Sequence, residues 1–175
     1  MKKKTLALVL ALTLLVAGVV GGTLAWLTDQ TAEVKNTFTV GDINIGLTET
    51  TADYKMVPGN TIAKDPTVTV KANSEACWLF VKVTESENLD TFITYAIANG
   101  WTELKSGVYY REVPASAADQ TFPVLAGNAV TVKDTVTKAM LTADGFTNPT
   151  LTFQAYAVQK DNVASASDAW AKVNP

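Results

Sequence analysis

Thr67-Val68-Thr69-Val70-Lys71-Ala72-Asn73-Ser74-Glu75-Ala76-Cys77-Trp78-Leu79-Phe80-Val81-Lys82-Val83-Thr84 is the stretch on which the fold turns. Its first five residues alternate apolar and polar with period two, which describes a half-buried strand. Ala72-Asn73-Ser74-Glu75 has the composition of a turn. Cys77 to Thr84 is β-branched and aromatic, with Leu79, Val81 and Val83 sharing one face. The two halves are expected to be antiparallel neighbours in one sheet.

The same period extends in both directions. Phe38 and Val40, then Ile43, Ile45 and Leu47, alternate with polar residues, and Gly41-Asp42 reads as a kink or bulge between them. Glu49 to Lys55 is a polar loop, and Val57-Pro58-Gly59-Asn60 is a turn from which a strand should follow. Leu89 to Ile97 fits either a helical turn or a short strand. Trp101 to Leu104 and Val108 to Val113 flank Ser106-Gly107 and predict a hairpin with an aromatic cross-strand face. Pro114 to Gln120 is an exposed loop. Phe122 to Leu125, the turn Ala126-Gly127-Asn128 and Ala129 to Lys133 repeat the order of turn, Gly-Asn and strand seen at Val57–Asn60. Lys138 to Ala143 reads as one helical turn ended by Asp144-Gly145. Thr150 to Val158 is the last strand, with Leu151, Phe153, Ala155 and Ala157 facing one way. Ser165 or Ser167 then caps a short helix that packs Trp170 onto the sheet. Many short strands punctuated by Gly, Pro and Asn predict an all-β fold: an antiparallel β-sandwich, jelly-roll or immunoglobulin-like, with short peripheral helices.

The N-terminal end reads differently. Met1 to Lys4 is basic and Thr5 to Val20 is apolar, the pattern of a signal peptide, and Gly21-Gly22 breaks the apolar run. Thr23 and Ala25 place small residues at −3 and −1 of a cut before Trp26. The competing reading is an uncleaved anchor, because no charge occurs from Thr5 to Thr28 and that length spans a bilayer. The expected organisation is residues 1–25 as signal peptide, 26–40 as an N-terminal donor or edge strand segment, and 41–175 as the sandwich. In the segment after the cut, Trp26, Leu27 and Val34 are the apolar residues available to fill pockets on another sheet. A loose terminus, or an edge strand of its own domain, is the alternative.

The 175 residues carry a net charge of −3; without Lys2, Lys3 and Lys4, 11 basic residues face 17 acidic ones, a balance of about −6. With no basic run, nucleic acid and anionic lipid are not expected as partners. The membrane enters only through the leader before cleavage. Cys77 is the single cysteine, which precludes an intramolecular disulfide; it reads as a small buried hydrophobe, against an intermolecular disulfide. Histidine is absent, so the commonest metal ligand and general base is missing, and no hydrolase, nucleotide-binding or redox motif occurs. Asp42, Asp53, Asp134 and Asp144 are candidates for an acid pair or calcium site, but they lack Asp-x-Asp-x-Asp spacing and read as loop charges and turn caps. Glu85-Ser86-Glu87 likewise reads as a charged loop. Trp101, Tyr109 and Tyr110 are weighed as a sugar- or partner-binding face against ordinary packing. No catalytic residue, metal or cofactor is expected.

Gly21-Gly22, Thr23-x-Ala25, the aromatic and Asp after the cut, and Thr37-Phe38-Thr39-Val40-Gly41-Asp42-Ile43 resemble the start of the TasA/camelysin family of secreted bacterial matrix proteins. Pro58-Gly59-Asn60, Asn73-Ser74, the Cys77–Thr84 strand, Ala155-Tyr156-Ala157-Val158-Gln159 and Ala169-Trp170 extend the resemblance over most of the chain. It implies a jelly roll, removal of the leader by a dedicated ER-type (SipW-like) signal peptidase, and assembly into extracellular biofilm fibres by donor-strand exchange. Camelysin relatives are also labelled metallopeptidases; a chain without histidine departs from that label, and the activity is not carried over. The expected function is therefore a secreted, non-enzymatic subunit of an extracellular matrix, forming homo-oligomeric fibres. A monomeric cell-surface adhesin or accessory binding domain is the rival, and a secreted hydrolase the third reading.

Overall fold

The structure, a computed structural model, describes residues 42–50 and 54–173. The cleavage residues Thr23, Ala25 and Trp26, the donor-strand residues Trp26, Leu27 and Val34, and Phe38, Val40, Gly41 and Asp53 lie outside the described residues. In chain order the strands are β1 (Ile45–Thr48), β2 (Thr61–Ala63), β3 (Thr67–Val70), β4 (Cys77–Glu85), β5 (Ile93–Thr94), β6 (Thr102–Lys105), β7 (Val108–Val113), β8 (Gln120–Pro123), β9 (Ala129–Val132) and β10 (Leu151–Gln159). Among the described residues three short helices accompany them: α1 (Leu89–Phe92), α2 (Lys138–Leu141) and α3 (Ala166–Val173).

All ladders are antiparallel, in the orders β1-β3-β8, β2-β9-β5 and β10-β4-β7-β6. The two three-stranded sheets are halves of one layer. Between their ladders the Lys64 N–H donates to the Asn128 carbonyl at 2.8 Å and the Val124 N–H to the Pro66 carbonyl at 2.9 Å, so pairing carries on past the proline that interrupts it. The β2–β9 ladder brings together the two Gly-Asn-strand units that echo each other in sequence, with Ile62 opposite Val130. The chain passes between layers at β3–β4, β4–β5, β5–β6, β7–β8 and β9–β10, the winding of a jelly roll.

The inner faces enclose a core of Val68, Val70, Cys77, Leu79, Val81, Val83, Val113 and Val124. Beneath the β2-β9-β5 half lies a second cluster including Phe92, Leu125 and Val132. On the outer face of the four-stranded sheet, α3 seats Trp170 against Phe80 and Tyr156, with ring centroids 5.3 and 5.2 Å apart. The start of α3 is fixed by Ser165, whose Oγ accepts the Asp168 N–H at 3.2 Å and donates to Asp168 Oδ2 at 2.6 Å. Burial by α3 on one side and the interlayer core on the other covers both faces of β4, which explains its nearly continuous apolar sequence.

One expectation is corrected. Thr67–Lys71 and Cys77–Thr84 are not hydrogen-bonded neighbours: β3 pairs with β1 and β8, and β4 pairs with β10 and β7. They face each other across the core. The connection is tied to the segment before β1, because the Asn44 N–H donates to Ser74 Oγ at 3.1 Å and the Glu75 N–H to the Asp42 carbonyl at 3.0 Å. With Asn73 at φ 63°, this anchoring lifts the chain into the other layer instead of folding it back in plane. The β6–β7 hairpin forms as expected, but its aromatic contacts differ. Thr102 and Glu103 lie opposite Tyr110 and Tyr109, and Tyr110 meets Trp78 and Phe80 of β4.

Candidate functional site

β10 is a nine-residue strand at the end of its sheet, paired with β4 on one side and with no strand on the other among the described residues. Its sequence, Leu-Thr-Phe-Gln-Ala-Tyr-Ala-Val-Gln, contains no charge, proline or glycine. Edge strands of monomeric proteins are ordinarily blunted by such residues, by bulges or by brevity. The other edges here follow that rule. β1 has four residues, β2 three and β5 two, β6 carries Glu103 and Lys105 across a register shift, and β8 ends in Pro123, whose carbonyl accepts Trp101 Nε1–H at 2.9 Å. Leu151, Phe153, Ala155 and Ala157 of β10 pack toward the interlayer core, as their spacing predicts.

Beside the start of β10, between it and the end of β1, the sandwich opens into a cleft of about 670 Å³. Its walls include Leu47, Met56, Ile62, Ile93, Leu151 and Phe153, an apolar lining continuous with the second cluster. Polar groups sit along one side. Lys64, only 7% exposed, places Nζ 2.6 Å from Glu49 Oε1, and the same oxygen accepts the Tyr54 hydroxyl at 2.8 Å. Nζ also lies 5.0 Å from the Tyr54 ring centroid and 5.4 Å from that of Phe153. Burial, with Glu49 as hydrogen-bond partner, raises the Tyr54 phenol above its ordinary value. Asp65 accepts the Thr50 hydroxyl and, at 2.9 Å, the Thr50 N–H, which hold its carboxyl below the ordinary range.

The other sequence candidates are dispersed. Asp42 accepts Asn44 Nδ2 at 2.7 Å, Glu85 accepts the Tyr95 hydroxyl, and Asp134 lies against Gly59. Among the described residues no three His, Cys, Asp or Glu side chains gather around a common point. Cys77 is free and fully buried, and burial pushes its thiol up to about 11, far from the thiolate a nucleophile requires. Tyr109 and Trp101 pack toward the inner core and Tyr110 toward the outer one. Among the described residues no helix is long and apolar enough to cross a membrane. Sequence reasoning found the β10 face but not its place at the end of the sheet, nor the Lys64–Glu49 pair. An uncharged nine-residue strand near the end of the chain is the signal that would have pointed to the edge. No family model, curated protein or solved structure matches this chain.

Proposed function

We propose that this chain is an exported, non-enzymatic structural subunit of an extracellular matrix, assembling into fibres of identical copies by strand addition. The observation that carries the reading is the edge of β10, which no strand covers among the described residues, beside an apolar cleft. In an antiparallel ladder alternate residues, roughly four of the nine in β10, turn both N–H and C=O outward, and each bond made there is worth about 1 kcal/mol net. Main-chain bonds supply affinity, and alternate apolar side chains entering the cleft supply register. The segment Trp26 to about Val34 of the next copy fits that role, with Trp26, Leu27 and Val34 among polar neighbours. Its free end arises on cleavage after Ala25 by an ER-type signal peptidase, which couples assembly to export.

Negative-stain microscopy of the secreted protein, with and without Trp26–Val34, tests this. The intact chain should begin at Trp26 and elongate, and the truncated chain should melt cooperatively yet remain monomeric. Fibres of normal length from the truncated protein reject strand donation by this segment. A monomeric intact protein rejects the fibre reading in favour of an adhesin.

A further inference from the structure

On the side of the sandwich away from β10, one cation is turned inward with no counter-charge among the described residues. Arg111, the chain's single arginine, stands opposite Leu79 in the β4–β7 ladder and so shares the face that looks into the interlayer space. Its guanidinium carbon lies 4.0 Å from the Phe122 ring centroid and 5.4 Å from that of Trp101. Trp101 is itself held by the bond to Pro123. Among the described residues Arg111 has no ion pair and no hydrogen bond, and its Nε is buried without an acceptor. Burial lowers its pKa from the ordinary value. Gly100 sits against the tip: at φ +89°, a Cβ there would lie 3.1 Å from Nη2. A side chain at position 100 would crowd the end of the guanidinium.

We propose that Arg111, stacked on Phe122 beside Trp101 with Gly100 at its tip, is a binding site for a carboxylate. A guanidinium presents parallel N–H donors in a planar fork that matches the two oxygens of a carboxylate, a geometry lysine cannot offer, and every other basic residue of this chain is lysine. The charge balance selects the ligand further. One positive charge on an acidic chain neutralises a monoanion, whereas a phosphate dianion would bring surplus negative charge into a negative field. Two sources present a carboxylate in this form, the ring of an acidic sugar and a glutamyl side chain. The site is independent of fibre formation and stands whether or not the chain polymerises.

The test is a titration of the full mature protein, followed by the NMR signals of Trp101 Nε1–H and of the Arg111 guanidinium. Sodium acetate reports the shared chemistry, glucuronate the sugar source and N-acetylglutamate N-methylamide the polypeptide source; sodium chloride at matched ionic strength and inorganic phosphate are controls. Saturable shifts with carboxylates and none with chloride support the site. Tighter binding of glucuronate assigns the sugar, tighter binding of the glutamyl compound assigns the polypeptide, and equal binding supports a site for the carboxylate alone. Arg111→Lys keeps the charge but loses the fork, and should weaken binding about tenfold or more. Arg111→Met removes the charge and should abolish binding; if that variant fails to fold, Arg111→Lys, which keeps an unbranched stem and the charge beside the two rings, carries the test. Absence of saturable shifts, undiminished binding by either Arg111 variant, or tighter binding of phosphate than of carboxylates overturns the proposal.

Discussion

Glu49→Gln and Lys64→Met remove the two halves of one ion pair, and the structure predicts unequal effects. Lys64 Nζ lies in the cleft wall with its side chain 9% accessible, while that of Glu49 is 24% accessible. Gln keeps the shape and the oxygen that accepts from Tyr54, but leaves a buried ammonium without its counter-charge. Breaking a fully buried pair in this way costs about 3–5 kcal/mol. The partial exposure of Glu49 lets water reach the site, which reduces the expected cost to about 2 kcal/mol. Lys64→Met removes the charge that is hard to hydrate, keeps an unbranched stem against Tyr54 and Phe153, and leaves a carboxylate that water can reach. Its cost should stay below about 1 kcal/mol. The double variant should then resemble Lys64→Met alone, giving a coupling as large as the Glu49→Gln cost, about 2 kcal/mol. Urea unfolding of the four proteins, with unchanged m-values, measures each quantity. A Glu49→Gln protein within 0.5 kcal/mol of the parent, or a Lys64→Met protein less stable than Glu49→Gln, would refute the assignment of the ammonium as the desolvated partner.

Thr152→Lys on the exposed face of β10 should leave the melting transition within about 0.5 kcal/mol of the parent while shortening fibres in microscopy; combined with Gln154→Lys, which sets two lysines side by side with Lys82, it should stop elongation. Gly107→Ala should cost about 1–3 kcal/mol in denaturant melts, because φ is +71° and the new Cβ would fall 2.7 Å from the Val83 carbonyl oxygen. Cys77 holds its proton in the fold up to about 11, against about 9 when unfolded, so its contribution is complete below pH 9 and is lost as pH rises to 11; Cys77→Ala should flatten that part of the stability profile by about 2–3 kcal/mol. At the acid end, Asp119 is held below the ordinary carboxylate range by the Ala72 N–H and Lys71, and Asp65 by Thr50. Their contributions are present above about pH 4 and are lost as pH falls through the lower folded values, which melts from pH 6 to pH 2 of Asp119→Asn and Asp65→Asn should reveal as shallower acid slopes.

Local chemistry made the elements legible. Ser106-Gly107 set the β6–β7 hairpin, Ser165 set the start of α3, and period two placed Leu151, Phe153, Ala155 and Ala157 on the face they occupy. Partner choice was not legible at β3 and β4, because Val68 and Val70 reach Leu79 and Val81 whether the strands lie side by side or face to face. The periodicity is identical in both cases, and only the distant bonds from Asn44 and to Asp42 select the crossing. Lys64 and Arg111 illustrate the same limit. Each sits in an ordinary alternating segment, and what makes it unusual is a neighbour far away in sequence: Phe153 for Lys64 and Phe122 for Arg111. The β10 edge depends on the order of strands across a sheet, which no window of adjacent residues encodes.

The nine-rung pairing of β10 with β4 has a mechanical consequence. Tension directed along β10 is parallel to both strands, so it loads the rungs from Leu151–Glu85 to Gln159–Cys77 in shear, all at once, whereas a pull across the sheet would open them one after another like a zip. β4 cannot slide in response, since Trp78 and Phe80 are keyed under α3 on one side while Leu79 and Val81 are keyed into the interlayer core on the other. Force entering at β10 is therefore passed into a strand buried on both faces, and a thread of such units would resist being drawn out lengthwise far better than being peeled apart.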